Sequence, residues 1–403
     1  MYASLPVQIY SKTYPPDVYC GAGVHVTHLS KELSKITDVN IKCFGTQDIR
    51  DLTLSVTGVP SYNISVPEDK KLERVINALI RSSLIASRKP SGKIVHAHDW
   101  YTYLAGFLAK KMWGIPLVVT VHSLEPMRPW KVDQVGQGGF NISSWMERTG
   151  LLEADAVITV SEPSKQDILK HFPVPKDKIH VIHNGVDLQV FSDKDEYSCV
   201  EKHGVSLGRP IVLFVGRVTR QKGIDYLLRA ISYLPSDYQF VFCAGKADTE
   251  QYRKECLEKV NSLNSQRDIF WLEGLSGQQL SSFYSCATVF CCPSVYETYA
   301  IVNLEAMACG TCVVGTNVAG NRQQLIDGKT AFLVDVELCD KRFQAKNSEQ
   351  YSIDLAKKIE FAVSSVSLRE KVAAAGKEFV RSNCSWERVA RETFELYKKV
   401  ALV

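Results

Sequence analysis

The chain lacks any long apolar run. Nowhere do about eighteen apolar residues follow one another, so it carries no candidate membrane span and no stable membrane insertion is expected. Residues 1–19 lack the basic-then-apolar order of a secretory leader, which makes the cytoplasm the expected compartment. No block of like charge stands out. The 48 Lys and Arg against 44 Asp and Glu leave a formal charge of +4 over 403 residues, which argues against a nucleic-acid partner and suits small anionic substrates. Zinc spacing is also missing. The 12 cysteines lie in apolar runs such as Phe290-Cys291-Cys292 and Ala308-Cys309-Gly310, and no Cys/His set has ligand spacing. Buried thiols in a reducing compartment are therefore expected, with no metal and no cofactor.

What is present is a globular composition, 45% hydrophobic and 23% charged, on a chain too long for one core. Short apolar runs alternate with amphipathic stretches, as parallel strands joined by crossover helices do. Six strands are predicted in the first half, at 6–10, 39–44, 94–97, 117–122, 156–160 and 179–183. Six more follow at 211–215, 239–244, 269–272, 289–292, 312–315 and 331–334. The fold class is thus α/β, with parallel-sheet domains over 1–190 and 191–384 and a final helix over 385–403. The polar stretch 187–209 reads as the linker, and from 354 onward the chain reads as helices.

Ligands of open parallel sheets bind outside the carboxyl ends of the strands, so the residues following each run are informative. After the first strand come Tyr14-Pro15-Pro16-Asp17 and then Gly21-Ala22-Gly23-Val24-His25, small residues that let backbone amides approach a phosphate and that equally suit a tight turn. His98-Asp99-Trp100 follows the third strand and His122-Ser123-Leu124-Glu125-Pro126 the fourth; a His in such a place serves packing as well as chemistry. Arg128, Trp130 and Lys131 lie among prolines, in a loop suited to gripping an anion or sugar. In the second half Gly216-Arg217 ends a strand and Lys222-Gly223 opens a helix, two cations able to neutralise a departing diphosphate. Glu297 and Glu305 are spaced so that both carboxylates share one helix face at different heights.

These motifs, together with His183-Asn184-Gly185-Val186-Asp187, resemble the retaining glycosyltransferases of the GT-B fold, and the Glu297 to Glu305 spacing is similar to that family's Glu-x7-Glu signature. More narrowly, Tyr14-Pro15-Pro16, the 122–131 segment, Ser143-Ser144-Trp145 with Glu147-Arg148, and the 301–310 segment resemble the actinobacterial glycogen synthase and α-maltose-1-phosphate synthase branch. The resemblance implies two Rossmann-like domains with a cleft between them, the first on the acceptor side and the second holding the nucleotide sugar, and a C-terminal helix crossing back. It implies a metal-independent transferase whose donor is ADP-glucose or another nucleotide-glucose and whose acceptor is glucose 1-phosphate or a glucan. Arg217 and Lys222 would bind the diphosphate, Glu305 the ribose, and Glu297 with the backbone of Thr298, Tyr299 and Ala300 the sugar hydroxyls. His122 would contact the sugar, Gly21, Ala22 and Gly23 would lie under the phosphates, and Asn184 would shape the sugar pocket. Asp17, His25, Asp99, Lys131 and Arg148 are acceptor candidates; a homodimer stays open.

The sequence departs from the family's pattern at Cys20, usually Gly, at Thr298-Tyr299-Ala300, usually Pro-Leu-Gly, and across 319–324, usually Gly-Gly-Ile-Pro-Glu. Tyr299 and Ala300 are expected to add bulk near the sugar. Rival readings are a cell-wall or glycolipid transferase of the same family, a sugar-nucleotide epimerase, and a homologue acting as a binding subunit. The basic stretch 70–88 lacks the aromatic residues of a membrane-contacting helix, and no complete Gly-x-Gly-x-x-Gly turn supports a dehydrogenase.

Overall fold

Strand and helix alternate from the start of the chain, and the architecture follows from where the apolar runs fall. The structure, a computed structural model, describes residues 5–18, 20–193, 197–339 and 343–402. Residues 1–4 and 403 of the expected domains, and 194–196 of the expected linker, lie outside the described residues. Two units result: Met1–Asn184 with Trp386–Val403, and Gly185–Ser385.

The first unit runs β1 (Val7–Ser11), α1 (Gly21–Leu33), β2 (Val39–Phe44), β3 (Asp48–Arg50), β4 (Leu54–Val59), α2 (Leu72–Ser87), β5 (Ile94–His98), α3 (Trp100–Trp113), β6 (Leu117–Val121), α4 (Val132–Glu153), β7 (Ala156–Thr159), α5 (Glu162–His171) and β8 (Ile179–Val181). Its sheet has eight strands in the order β3-β4-β2-β1-β5-β6-β7-β8, parallel except for β3 against β4. The sequence reading missed β3 and β4. The three residues of β3 are all exposed and β4 has one fully buried side chain, Val56, so neither shows the apolar run of a central strand.

The second unit contains α6 (Ser198–Lys202), β9 (Ile211–Arg217), α7 (Ile224–Ala230), β10 (Gln239–Gly245), α8 (Glu250–Leu263), β11 (Asp268–Leu272), α9 (Gly277–Cys286), β12 (Val289–Cys292), α10 (Ile301–Ala308), β13 (Cys312–Thr316), β14 (Phe332–Val334), α11 (Ser348–Ser364) and α12 (Val366–Asn383). All six predicted strands are present, in the parallel order β11-β10-β9-β12-β13-β14. The described part of the expected linker belongs to this unit, where α6 lies beside α9. Among the described residues none of the 12 cysteines forms a disulfide, and eight are buried.

The last helix, α13 (Trp386–Ala401), belongs to the first unit and packs on α1. It buries Trp386, Val389, Ala390, Thr393, Leu396, Tyr397 and Val400, an apolar stripe at helical spacing with charge on the other face. Among the described residues no helix is long and apolar enough to cross a membrane.

Both sheets reverse their strand order beside their first strand, at β1/β5 and at β9/β12. The carboxyl ends of those four strands are where a doubly wound sheet leaves room for a ligand.

Candidate active site

In the second unit β9 delivers Arg217, whose Nη1 lies 2.7 Å from Asp248 Oδ1. A single turn then presents Lys222. Thr219 Oγ1 accepts the Lys222 backbone amide at 3.3 Å, and Gln221 ties the turn to the next loop, its Nε2 donating to the Tyr296 carbonyl at 2.9 Å while its own carbonyl accepts from Val295 N. Gly223 has φ 67°, and a Cβ there would collide with the carbonyl oxygen of Pro293, so only glycine permits this approach. The result is a Lys222 Nζ to Glu297 Oε1 contact of 2.5 Å, with Glu297 nearly buried. Both cations are thus fixed at a strand end with a carboxylate partner.

Glu297 and Glu305 do not share a helix face, contrary to the spacing argument. The sequence between them turns before it coils: α10 starts at Ile301, so Glu297 sits in the preceding loop and only Glu305 is helical. Glu305 is buried and accepts a bond from Tyr284 Oη at 3.0 Å. Burial pushes its carboxyl up to about 7, against the opposing effects of that hydrogen bond and the Lys222 charge. Thr298, Tyr299 and Ala300 each bring a backbone amide to the loop before α10. Tyr299 is itself buried, its hydroxyl 4.0 Å from Cys384 Sγ, so the ring packs in the interior of this unit.

The departure at 319–324 also has a structural role. Gly320 covers the loop closely enough that a Cβ would collide with the Glu297 carbonyl. Asn303 Nδ2 donates to Asn321 Oδ1 at 3.1 Å and to Gln324 Oε1 at 3.0 Å, and Gln324 Nε2 donates to the Ala300 carbonyl at 3.1 Å. Asn321 Nδ2 in turn reaches the Thr316 carbonyl. This buried amide network braces the start of α10, and sequence reasoning missed it because each amide alone looks like an ordinary polar residue. Asp248 was missed too, although it stands three positions past β10 and the strand-end rule would have found it.

In the first unit Gly21, Ala22 and Gly23 form the first turn of α1, with Cys20 as an N-cap that makes no side-chain bond. Four imidazoles gather beneath. His25 comes from α1, His96 and His98 from β5, and His122 follows β6. His25 Nδ1 lies 2.8 Å from Asn184 Oδ1, so Asn184 orients an imidazole. His96 is held by Tyr397 Oη at 2.6 Å and Thr120 Oγ1 at 2.7 Å, and His98 Nδ1 lies 3.2 Å from His122 Nε2. Trp386 meets His25 edge-on and stacks with His28. Burial pushes His25 and His122 down to about 3, and His96 and His98 well below the usual imidazole range, so all four are neutral near pH 7.

The acceptor candidates scatter. Asp99, with φ 59°, caps α3 in a conformation rare for a non-glycine residue. Burial raises its carboxyl to about 6, opposed by Arg128, Lys131 and Lys12. Lys131 is 1% exposed and its Nζ lies 2.5 Å from both oxygens of Glu125, which also accepts from Ser143 Oγ at 2.6 Å. The Lys131 ammonium is therefore committed to a buried ion pair. Glu147 joins this cluster by accepting the Glu125 amide, and burial raises its carboxyl well above the usual range. Arg148 and Asp17 are exposed.

Comparison with known proteins decides the family. Residues 199–379 match the model described as glycosyl transferases group 1, and residues 19–190 match glycosyltransferase family 4. The α-maltose-1-phosphate synthase of Mycolicibacterium smegmatis is 39% identical over 401 residues, covering 98% of this chain and 99% of the relative. The chain belongs to the group 1 glycosyl transferases. As a member of that family it is a hexosyltransferase of the GT-B fold, and its solved neighbours agree on the fold. Sucrose-phosphate synthase from Thermosynechococcus elongatus superposes with a TM-score of 0.80 at 22% identity, over 98% of each chain. The catalytic domain of starch synthase IV from Arabidopsis thaliana, bound to ADP and acarbose, gives 0.74 at 16% identity over 100% of each chain.

Proposed function

We propose that this glycosyltransferase moves glucose, with retention of anomeric configuration, from ADP-glucose or another nucleotide-glucose onto glucose 1-phosphate or an α-1,4-glucan, in the cytoplasm. The observation that carries this reading is the pair of carboxylate-partnered cations, Arg217 and Lys222, at the β9/β12 switch point. A donor diphosphate would take over the roles of Asp248 and Glu297 as counter-charge, so no cation is left buried and unpaired at any stage. Once released by Lys222, Glu297 can accept hydrogen bonds from sugar hydroxyls. Glu305, ionised, would accept the ribose hydroxyls.

As the glycosidic bond to phosphate breaks, negative charge grows on the leaving oxygen and positive charge on the anomeric carbon. Arg217 and Lys222 stabilise the first, already in place and partly shielded from water, where such contacts act strongly. On the acceptor side the neutral His122 offers a hydrogen bond to a sugar hydroxyl without adding a charge. The leaving phosphate takes the acceptor's proton, so attack from the same face retains configuration. The choice of glucose 1-phosphate follows the near full-length similarity to an α-maltose-1-phosphate synthase.

The test mixes purified protein with ADP-glucose and either glucose 1-phosphate or glycogen, in EDTA, and follows ADP release and the sugar product. Maltose 1-phosphate is the expected product. Elongation of glycogen alone would make the enzyme a polymerising synthase, and turnover only with other nucleotide sugars would favour a cell-wall acceptor.

A further inference from the structure

We propose that His25, His98 and His122 form a binding site for a divalent transition ion of the zinc class, and that the ion inhibits transfer by occupying His122. One nitrogen from each imidazole lies within 4.8 Å of the others. The ring centres are 4.7 Å (His25 to His122), 5.4 Å (His25 to His98) and 5.5 Å (His98 to His122) apart. Three imidazoles on a tetrahedral zinc, with Zn–N of about 2.0–2.1 Å, have ring centres about 5 Å apart and ligand nitrogens about 3.3 Å apart. His98 Nδ1 and His122 Nε2 are already separated by 3.2 Å.

The surroundings match a metal site in a second respect. His25 Nδ1 lies against Asn184 Oδ1, an acceptor, so Nδ1 carries the hydrogen and Nε2 presents its lone pair. That Nε2 is buried and has no hydrogen-bond partner among the described residues. A ligating imidazole held by an amide oxygen through its other nitrogen is the usual outer-sphere arrangement. His96 is excluded as a ligand because both its nitrogens are engaged, by Tyr397 and Thr120. Three neutral nitrogens without a carboxylate select zinc, copper, nickel or cobalt over magnesium, calcium or manganese. Three ligands leave one coordination position open, and the half-buried His122 provides the route in.

The inhibitory part rests on the proposed reaction; the binding part does not. The full chain, freed of metal by a chelator, is titrated with Co2+ while visible absorption is recorded. The expected result is the intense spectrum of tetrahedral Co2+, saturating at one ion per chain and bleached by Zn2+. His25→Ala removes the spectrum, and Asn184→Ala, which keeps all three ligands, weakens binding by about 10- to 100-fold. Absence of the tetrahedral spectrum in the wild type, or a spectrum that Asn184→Ala leaves at full affinity, overturns the site. In the transfer assay Zn2+ is expected to suppress turnover at least tenfold, with recovery in EDTA. A tetrahedral spectrum with zinc-insensitive transfer removes the inhibitory role. The same spectrum in a chain inactive with every nucleotide sugar removes the proposed reaction and keeps the site.

Discussion

The two units build similar sheets and place their chemistry at the same point of each, yet they solve the problem of burying polar groups in opposite ways. The first gathers four imidazoles and keeps them neutral; the second gathers charges of both signs and keeps them paired, Arg217 with Asp248 and Lys222 with Glu297. A neutral ring can meet a hydroxyl without a counter-ion, whereas a paired cation can exchange one anion for another. Under the proposed reaction, that difference suits hydroxyl recognition in one sheet and phosphate recognition in the other. Lys131 with Glu125 is the instructive exception, a buried charge pair in the neutral half.

That exception gives the largest expected effect. Lys131→Ala leaves Glu125 buried without its counter-charge and should cost about 3–5 kcal/mol of stability in urea unfolding. An unchanged midpoint with a raised acceptor KM would return Lys131 to the substrate and blur the contrast between the halves. Next, Lys222→Ala should lower kcat by about a hundredfold to a thousandfold with the circular dichroism and Tm retained, the loss expected when one preorganised stabiliser of developing charge is removed. Wild-type turnover in that variant would remove the phosphate role from the second unit.

Gln324→Leu should cost about 1–3 kcal/mol by leaving the Ala300 carbonyl and the Asn303 amide short of partners. Because these brace the loop after Glu297, donor KM should rise more than kcat falls, with partial rescue in Gln324→Asn; equal changes in both variants would reduce the network to plain packing.

Acid should separate the halves more gently. His25 is depressed from 6.5 to about 3, so its contribution to stability is present above 6.5 and is lost as pH falls toward 3. Glu305 is raised from 4.5 to about 7, so its contribution is present below 4.5 and is lost as pH rises through 7. Hydrogen exchange between pH 7 and 5 should therefore show the α1 and β5 amides losing protection while α10 gains it. Under the proposed reaction binding runs the other way at Glu305, because only its carboxylate form would accept both ribose bonds. kcat/KM for the donor should fall toward tenfold per unit below pH 7, and Glu305→Gln should flatten that limb.

Much of the frame was legible because central parallel strands are buried on both faces and read as short apolar runs; the six of the second unit show this plainly. The exposed edge strands β3 and β4 carry no such run. Residues at strand ends were legible by position, but their state was not. Nothing in the spacing of Lys131 says that Glu125 and Ser143 enclose it, and the Glu297 to Glu305 interval hid a loop that ends at Ala300. Partners distant in sequence, such as Tyr284 for Glu305 or Gln324 for Ala300, emerge only when the sheets assemble.

His96 finds its hydroxyl partner on Tyr397, 301 positions later, and His25 meets Trp386 from the same helix. As the ribosome delivers the chain, the unit that starts first cannot be finished first. Its imidazole cluster must wait, one side uncovered, while the uninterrupted stretch 185–385 emerges and folds. A helix made after the second unit thus closes a sheet made before it.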